Sequence, residues 1–303
     1  MEKAAGSIAY NQTARRIDFQ RVKDGDPLVN RIALRTRFAA IALCCLLVPA
    51  WGWGQEPGSK PETQAPAPAL ATPVPTPAAA TPAPVDDYWK KHDELLRVDF
   101  GWLGKFKEAN AALSPPANGE NRVVFMGDSL TEGWHFTGPQ GSFPGKPYIN
   151  RGISGQTTPQ MLVRFRQDVI ALKPKVVVIL AGTNDIAGNT GPETQEQIED
   201  NLASMADLAT ANHIRVVLCS ILPAFDYWWK RGLTPAPKIL AINTWMKAYA
   251  AEKGYVYVDF HAAMKDERDG LPLTLSRDGV HPLPSGYAVM TPLVEAGVEK
   301  ALE

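Results

Sequence analysis

An α/β fold with a central, mostly five-stranded parallel sheet is what this 303-residue sequence predicts, and three observations predict it. Short apolar runs, most of them rich in Val and Ile, recur near 122–127, 147–150, 175–181, 214–220 and 255–259. Runs of this kind suit strands covered on both faces. The stretches between them place apolar residues three and four positions apart, as a helix with one buried stripe does. Strands and helices alternating in this order give parallel strands in one layer, with helices on both of its faces.

The ends of the chain are unlike its middle. In residues 1–54, Arg31, Arg35 and Arg37 precede the apolar run Phe38 to Ala50, which is followed by small residues and Gln55. A basic end, a short apolar core and a small-residue exit are the layout of a secretory signal. The run of roughly 13 apolar residues is short of the ~20 that span a bilayer, so no stable membrane span is expected in the mature form. Export to the periplasm or beyond is expected. The long stretch 1–28 ahead of the signal points to a start of translation nearer Val29. Cys44 lies where a lipoprotein would be processed, but Leu43 is bulky where such sites carry a small residue. An exported form would keep only Cys219 of the three cysteines, and Cys219 reads as a small buried core residue.

Residues 55–85 hold nine prolines among Ala and Thr and almost no large apolar side chains. They are expected to form an extended spacer without a core. The domain is expected to occupy 86–303. Its preface, 86–118, is rich in aromatic and charged residues and predicts one or two helices packed on the rest. Residues 1–54 contain 8 of the 31 Lys and Arg and 4 of the 32 Asp and Glu, which leaves the remainder mildly acidic. That balance offers no electrostatic footing for nucleic acid.

Within the domain, Val123 to Met126 reads as a buried strand that ends in the turn Gly127-Asp128-Ser129. Val177 to Ala181 is another, ending in Gly182-Thr183-Asn184-Asp185. Between them the short strand at 147–150 leads into the loop Gly152 to Thr158. From Glu193 to Ala211, Ile198, Leu202, Met205 and Leu208 share one helical stripe, and Pro192 suits the helix start. Residues 237–253 behave similarly through Ile239, Ile242, Trp245, Met246 and Tyr249. A last helix should begin near Pro284 and kink or restart at Pro292, which has no N–H to donate.

In an open parallel sheet the functional crevice lies at the carboxyl ends of the strands. Ser129, Asn184 and Asp185 all follow strands directly and should meet there. A serine hydroxyl needs a base within hydrogen-bond reach, and that base needs a third group to orient it. Asp278-Gly279-Val280-His281-Pro282 supplies the best candidate pair, because its spacing lets one rigid loop deliver both side chains. His92, His213 and His261 lack partner motifs, and His135 is expected on the surface. The His, Cys, Asp and Glu residues show no metal-ligand spacing, and no Gly-rich phosphate loop is present, so neither a metal nor a cofactor is expected.

The segments Gly127-Asp128-Ser129-Leu130, Gly152-Ile153-Ser154-Gly155-Gln156-Thr157-Thr158, Gly182-Thr183-Asn184-Asp185 and Asp278-Gly279-Val280-His281, in this order, resemble the four blocks of the SGNH hydrolases, also called GDSL esterases/lipases. The resemblance covers roughly residues 86–303. It implies a flavodoxin-like three-layer sandwich and a catalytic triad of Ser129, His281 and Asp278. It also implies an oxyanion hole made by the backbone N–H groups of Ser129 and Gly155 and the side-chain amide of Asn184. Gly152, a glycine in the same loop, competes with Gly155 for that role, but spacing relative to the Thr157-Thr158 pair, as in the acetylhydrolase-like branch of the family, favours Gly155. Asp128 and Asp185 read as loop braces rather than proton carriers.

The first two blocks look closest to acetylhydrolase-like members, which implies short acyl groups, chiefly acetyl esters on sugars. Phe225, Tyr227, Trp228 and Trp229 follow the fourth strand. All four are candidates to line the crevice and stack on a sugar ring, with Trp228 and Trp229 taken as the substrate-binding pair. A lipid-directed esterase or thioesterase, a non-catalytic glycan-binding protein and a glycan O-acetyltransferase are the competing readings.

Overall fold

The computed structural model describes residues 85–136 and 141–303. The signal-like segment 1–54 and the spacer 55–84 lie outside the described residues. Val85, assigned from sequence to the spacer, instead opens the first helix. Among the described residues, no helix is long and apolar enough to cross a membrane.

The preface forms α1 (Val85–Val98) and α2 (Lys107–Ala112). Five strands follow: β1 (Val123–Gly127), β2 (Tyr148–Gly152), β3 (Val176–Leu180), β4 (Arg215–Cys219) and β5 (Val256–Val258). They form one sheet of order β2-β1-β3-β4-β5, and every pair is parallel. β1 and β3 lie at the centre and are buried along their whole length, which explains their unbroken apolar runs. β2 runs through Gly152, two residues further than the sequence suggested, because its edge position needs no apolar run to hold it in register.

Helices cover both faces. α4 (Thr158–Asp168), α6 (Gln195–Ala211) and α7 (Ala236–Lys253) pack on one face around Met161, Phe165, Leu202, Met205, Ile239 and Met246. α8 (Phe260–Met264) and α9 (Pro284–Leu302) cover the other with Phe260, Met264, Met290, Val294 and Val298. Trp134, Phe136 and Phe143 complete that second core around Phe125. Cys219 is buried there, and burial pushes its thiol pKa up, away from reactivity.

One local expectation resolves differently. α9 runs from Pro284 to Leu302 without a restart at Pro292. Its buried side chains lie on both sides of the proline, so sheet packing outweighs the lost backbone bond, and the Thr291 hydroxyl donates to Tyr287 O at 2.8 Å. The preface forms two helices as expected, and polar contacts clasp it to α4, to the loop before α4 and to β2. Gln160 Nε2 donates to Phe100 O and Gln156 Nε2 to Gly101 O, and the Arg151 guanidinium sits 4.7 Å from the Phe106 ring centre.

Candidate active site

Strand order turns back between β1 and β3, whose connections leave in opposite directions. A crevice must open at that point beyond the strands' carboxyl ends. β1 delivers Ser129 there as the first residue of the one-turn helix α3 (Ser129–Glu132), which is capped by Asp128 Oδ1 accepting from Leu130 N at 2.9 Å. β3 delivers Asn184 through the short helix α5 (Thr183–Ala187).

The third contribution comes from the loop before α9. Asp278 Oδ1 accepts from the backbone N–H of Val280 and His281, and Arg277 N donates to His281 O. This tight loop requires a left-handed residue at Gly279, where φ is +82°. It aims His281 Nε2 at Ser129 Oγ, 3.0 Å away, and leaves His281 Nδ1 2.8 Å from Asp278 Oδ2. Partial burial raises the Asp278 pKa, but the bonds from His281 and Val280 outweigh it and hold the carboxyl below its usual value. An ionised Asp278 in this position holds the proton on Nδ1 and leaves Nε2 as the acceptor facing the serine. The Tyr287 hydroxyl, donating to Leu130 O at 3.0 Å, ties α9 to α3 and so keeps the two halves in reach.

The cavity at Ser129 has a volume of about 240 Å³ and is lined by Ser129, Gly155, Asn184, Asn189, Trp228, Trp229 and His281. Gly155 therefore faces the serine. Gly152 does not: a Cβ there would lie 2.1 Å from Glu132 N, so that glycine serves the close approach of β2 to α3. Among the described residues, neither Ser129 N nor Gly155 N donates to a protein acceptor. Asn184 Nδ2, by contrast, donates to Gln156 O at 3.0 Å and to Asp128 Oδ2 at 3.2 Å. Burial pushes the Asp128 pKa up to about 6, opposed by the Leu130 N–H and by His281. Among the described residues, no group of three or more His, Cys, Asp or Glu is placed to hold a metal ion.

The model for the GDSL-like Lipase/Acylhydrolase family matches residues 125–289, more than half of the chain. The chain belongs to this family. Two solved structures resemble this GDSL-like chain over nearly their whole length. A GDSL-like lipase of Bacteroides thetaiotaomicron is 45% identical, covering 67% of this chain and 100% of its own, with a TM-score of 0.64. A proposed acylhydrolase of Bacteroides fragilis is 44% identical over 68% of this chain and 99% of its own, with a TM-score of 0.65. An acetylxylan esterase of Xylanibacter ruminicola is 25% identical over 247 residues, which take in 70% of this chain and 48% of that protein. The chain thus spans about half the length of that curated relative.

The aromatic cluster of this GDSL-like chain divides in a way its sequence did not show. Trp228 and Trp229 line the cavity. Tyr227 is wholly buried beneath Trp229, with ring centres 4.9 Å apart, and Phe225 points outward under Arg268. Of the histidines outside the site, His135 is exposed as expected, and His261 is buried with its backbone N–H on Ser220 Oγ.

Sequence reasoning missed Glu132 and Asn189. Glu132 Oε2 accepts from Ser154 N at 2.8 Å and from its hydroxyl, which holds the loop that presents Gly155. Asn189 bonds to Asn184, Gly155 and Trp229. Glu132 ends the one-turn helix that Ser129 begins, and its role shows only once β2 brings Ser154 beside it, whereas Asn189 is folded back to the site by a chain reversal after α5. A usable signal for Asn189 was Gly188, the left-handed cap that ends α5 and folds residue 189 back over residue 184.

Behind the site, Asp185 Oδ1 accepts from Thr158 N and Oγ1, which braces the start of α4. Asp185 Oδ2 and Glu193 Oε2 are buried without a donor when both groups are ionised, and one proton between the two carboxyls satisfies both. Burial first, then repulsion by Glu193, pushes the Asp185 pKa up to about 7 from 3.8. Between those values the folded state holds a proton that the unfolded chain has released, so this pair's contribution to stability falls as pH rises from 3.8 to about 7. Glu193→Gln supplies an amide donor to Asp185. It is expected to raise Tm by a few degrees at pH 8 and to change it little near pH 4, as read by thermal unfolding across pH. An equal Tm change at both pH values would remove the shared proton from the account.

Proposed function

We propose that this chain is a serine esterase that removes short acyl groups, chiefly acetyl, from carbohydrates outside the cytoplasm. The observation that carries this reading is the hydrogen-bonded chain Ser129–His281–Asp278 opening onto a cavity walled by two tryptophans. At about 240 Å³ the cavity is below the ~300–1,000 Å³ of ordinary small-ligand pockets, which suits a short acyl group better than a long one. Trp228 and Trp229 give a sugar ring an apolar face to stack on. The similarity to an acetylxylan esterase supports the same substrate class. The basic-then-apolar order of Arg31 to Ala50 supports export.

In this mechanism Ser129 Oγ attacks the ester carbonyl carbon while His281 Nε2 takes its proton. The carbonyl electrons move onto oxygen, where the N–H groups of Ser129 and Gly155 and the Asn184 amide receive them. Collapse expels the sugar alkoxide, which takes the proton from His281. A water molecule then attacks the acyl-enzyme by the same route and frees the acid. Both Asn184 amide hydrogens are engaged in the free protein, and the longer bond, to Asp128, is the one that gives way to the oxyanion. Asn184→Ala should lower kcat by about 100- to 1000-fold with a far smaller change in KM. An unchanged kcat would confine Asn184 to bracing the turn.

Hydrolysis of p-nitrophenyl esters from acetate to decanoate, with Ser129→Ala as control, tests the substrate class. Serine-dependent rates should fall as the acyl chain lengthens. Rates rising with length would transfer the assignment to lipid esters. Absence of hydrolysis would favour glycan binding or acyl transfer between glycans.

A further inference from the structure

We propose that Asn189 is a positioning residue that holds the Asn184 amide and the Gly155 loop in their working orientation and links both to Trp229. This rests on the esterase reading of the Ser129 site.

The argument is one of donors and acceptors. An asparagine side chain fits its site in two flipped orientations, and its neighbours decide between them. The Trp229 indole nitrogen is a donor only, and it lies 3.1 Å from Asn189 Oδ1. The Gly155 carbonyl is an acceptor only, and it lies 3.1 Å from Asn189 Nδ2. The two contacts demand the same orientation, so the Asn189 flip is decided twice over. Its Nδ2 then donates to Asn184 Oδ1 at 2.9 Å, which holds that oxygen away from the catalytic serine and leaves Asn184 Nδ2 on the side of Asp128. The backbone strengthens the arrangement, because Asn189 N also donates to Asn184 O.

Trp229 is itself held firmly. Its ring stacks on buried Tyr227 at an interplanar angle of 26°, and the Tyr227 hydroxyl meets Thr183 Oγ1, the neighbour of Asn184, at 2.9 Å. The wall that faces the ligand and the amide that receives the oxyanion are therefore joined by two routes, one through Asn189 and one through Tyr227. Asn189 is also the only link among the described residues that touches Trp229, Asn184 and Gly155 at once. Because Gln156 O also orients Asn184, loss of Asn189 should loosen the donors rather than remove them.

The test is a double-mutant cycle in the full chain on p-nitrophenyl acetate. Asn189→Ala should lower kcat by about ten- to a hundredfold, the scale of a small misplacement of reacting groups, with KM changed less than about threefold. Trp229→Phe keeps an aromatic wall but removes the indole N–H, and should lower kcat by a smaller factor. In the Asn189→Ala background, Trp229→Phe should add almost nothing, because the bond it breaks is already gone. A kcat within about twofold of wild type for Asn189→Ala, or effects of the two changes that simply multiply, would overturn the proposal.

Inactivation by a fluorophosphonate gives a second readout that needs no ester turnover, since it reports Ser129 nucleophilicity and the oxyanion donors directly. Its rate should fall in parallel with kcat. If wild type reacts with the probe at Ser129 yet hydrolyses no ester, the esterase reading fails while the inactivation rates still decide the role of Asn189. Should Asn189→Ala not fold, Trp229→Phe decides alone: unchanged kcat and inactivation rate would sink the linkage.

Discussion

Ser129→Ala is expected to lower kcat on p-nitrophenyl acetate by on the order of 10⁶-fold while leaving the unfolding curve where it is. The reasons are geometric. Ser129 Oγ stands 3.0 Å from His281 Nε2, and among the described residues no other hydroxyl bonds to that ring. Removing the hydroxyl takes away the nucleophile but breaks only that one bond, so the fold loses little. His281→Ala should cost a similar factor, and the double variant little more, since the residues act as one unit. Asp278→Asn is a finer probe. It preserves shape but puts the wrong partner on His281 Nδ1, and a loss of about 10⁴-fold is expected. Steady-state kinetics on the purified variants, with Tm measured alongside, checks all of these. Turnover that survives Ser129→Ala would move the chemistry to another group.

Arg164→Met is expected to have the largest effect on stability. Arg164 is fully buried in α4, and burial pulls its pKa down to about 10 against the pull of Asp168. Its guanidinium donates to Gln156 Oε1 at 2.5 Å, Asp168 Oδ2 at 3.2 Å and Gly127 O at 3.0 Å. Those acceptors belong to the loop that presents Gly155, to α4 and to the end of β1. Methionine fills much of the same volume but leaves Asp168 as a buried charge without its ion-pair partner, hydrogen-bonded by Asn110 and with the charge of Arg151 nearby. Such a loss costs about 3 to 5 kcal/mol, or roughly 6 to 20 °C in Tm for a domain of this size. Arg164→Met with Asp168→Leu should recover much of it, because the stranded charge is then gone. Thermal unfolding of both proteins decides the matter; a single variant within about 1 kcal/mol of wild type would show that the cavity relaxes or admits water.

The architecture was legible because its signals are local. Val123 to Met126 and Val176 to Leu180 are apolar on every residue since both faces of the central strands are covered, and a run of that kind is visible without any neighbour. The stripe of Ile198, Leu202 and Met205 on α6 is equally self-contained. Where the reading slipped, a distant partner decided. Pro292 should interrupt a helix on its own, but α9 is held by the sheet it covers. Tyr227 and Phe225 looked equivalent to Trp228 and Trp229, and only their packing separates core from cavity wall.

The sequence by itself determined the alternation of strand and helix, the family and the short blocks that carry Ser129, Gly155, Asn184, Asp278 and His281, because each is encoded in a few consecutive residues. The tertiary structure alone decided that Glu132 and Asn189 make contacts at the site and that Arg164 ties three segments together. These contacts join residues as far as 40 positions apart through directional bonds. The distance and angle of such a bond exist only once the sheet has brought its ends together.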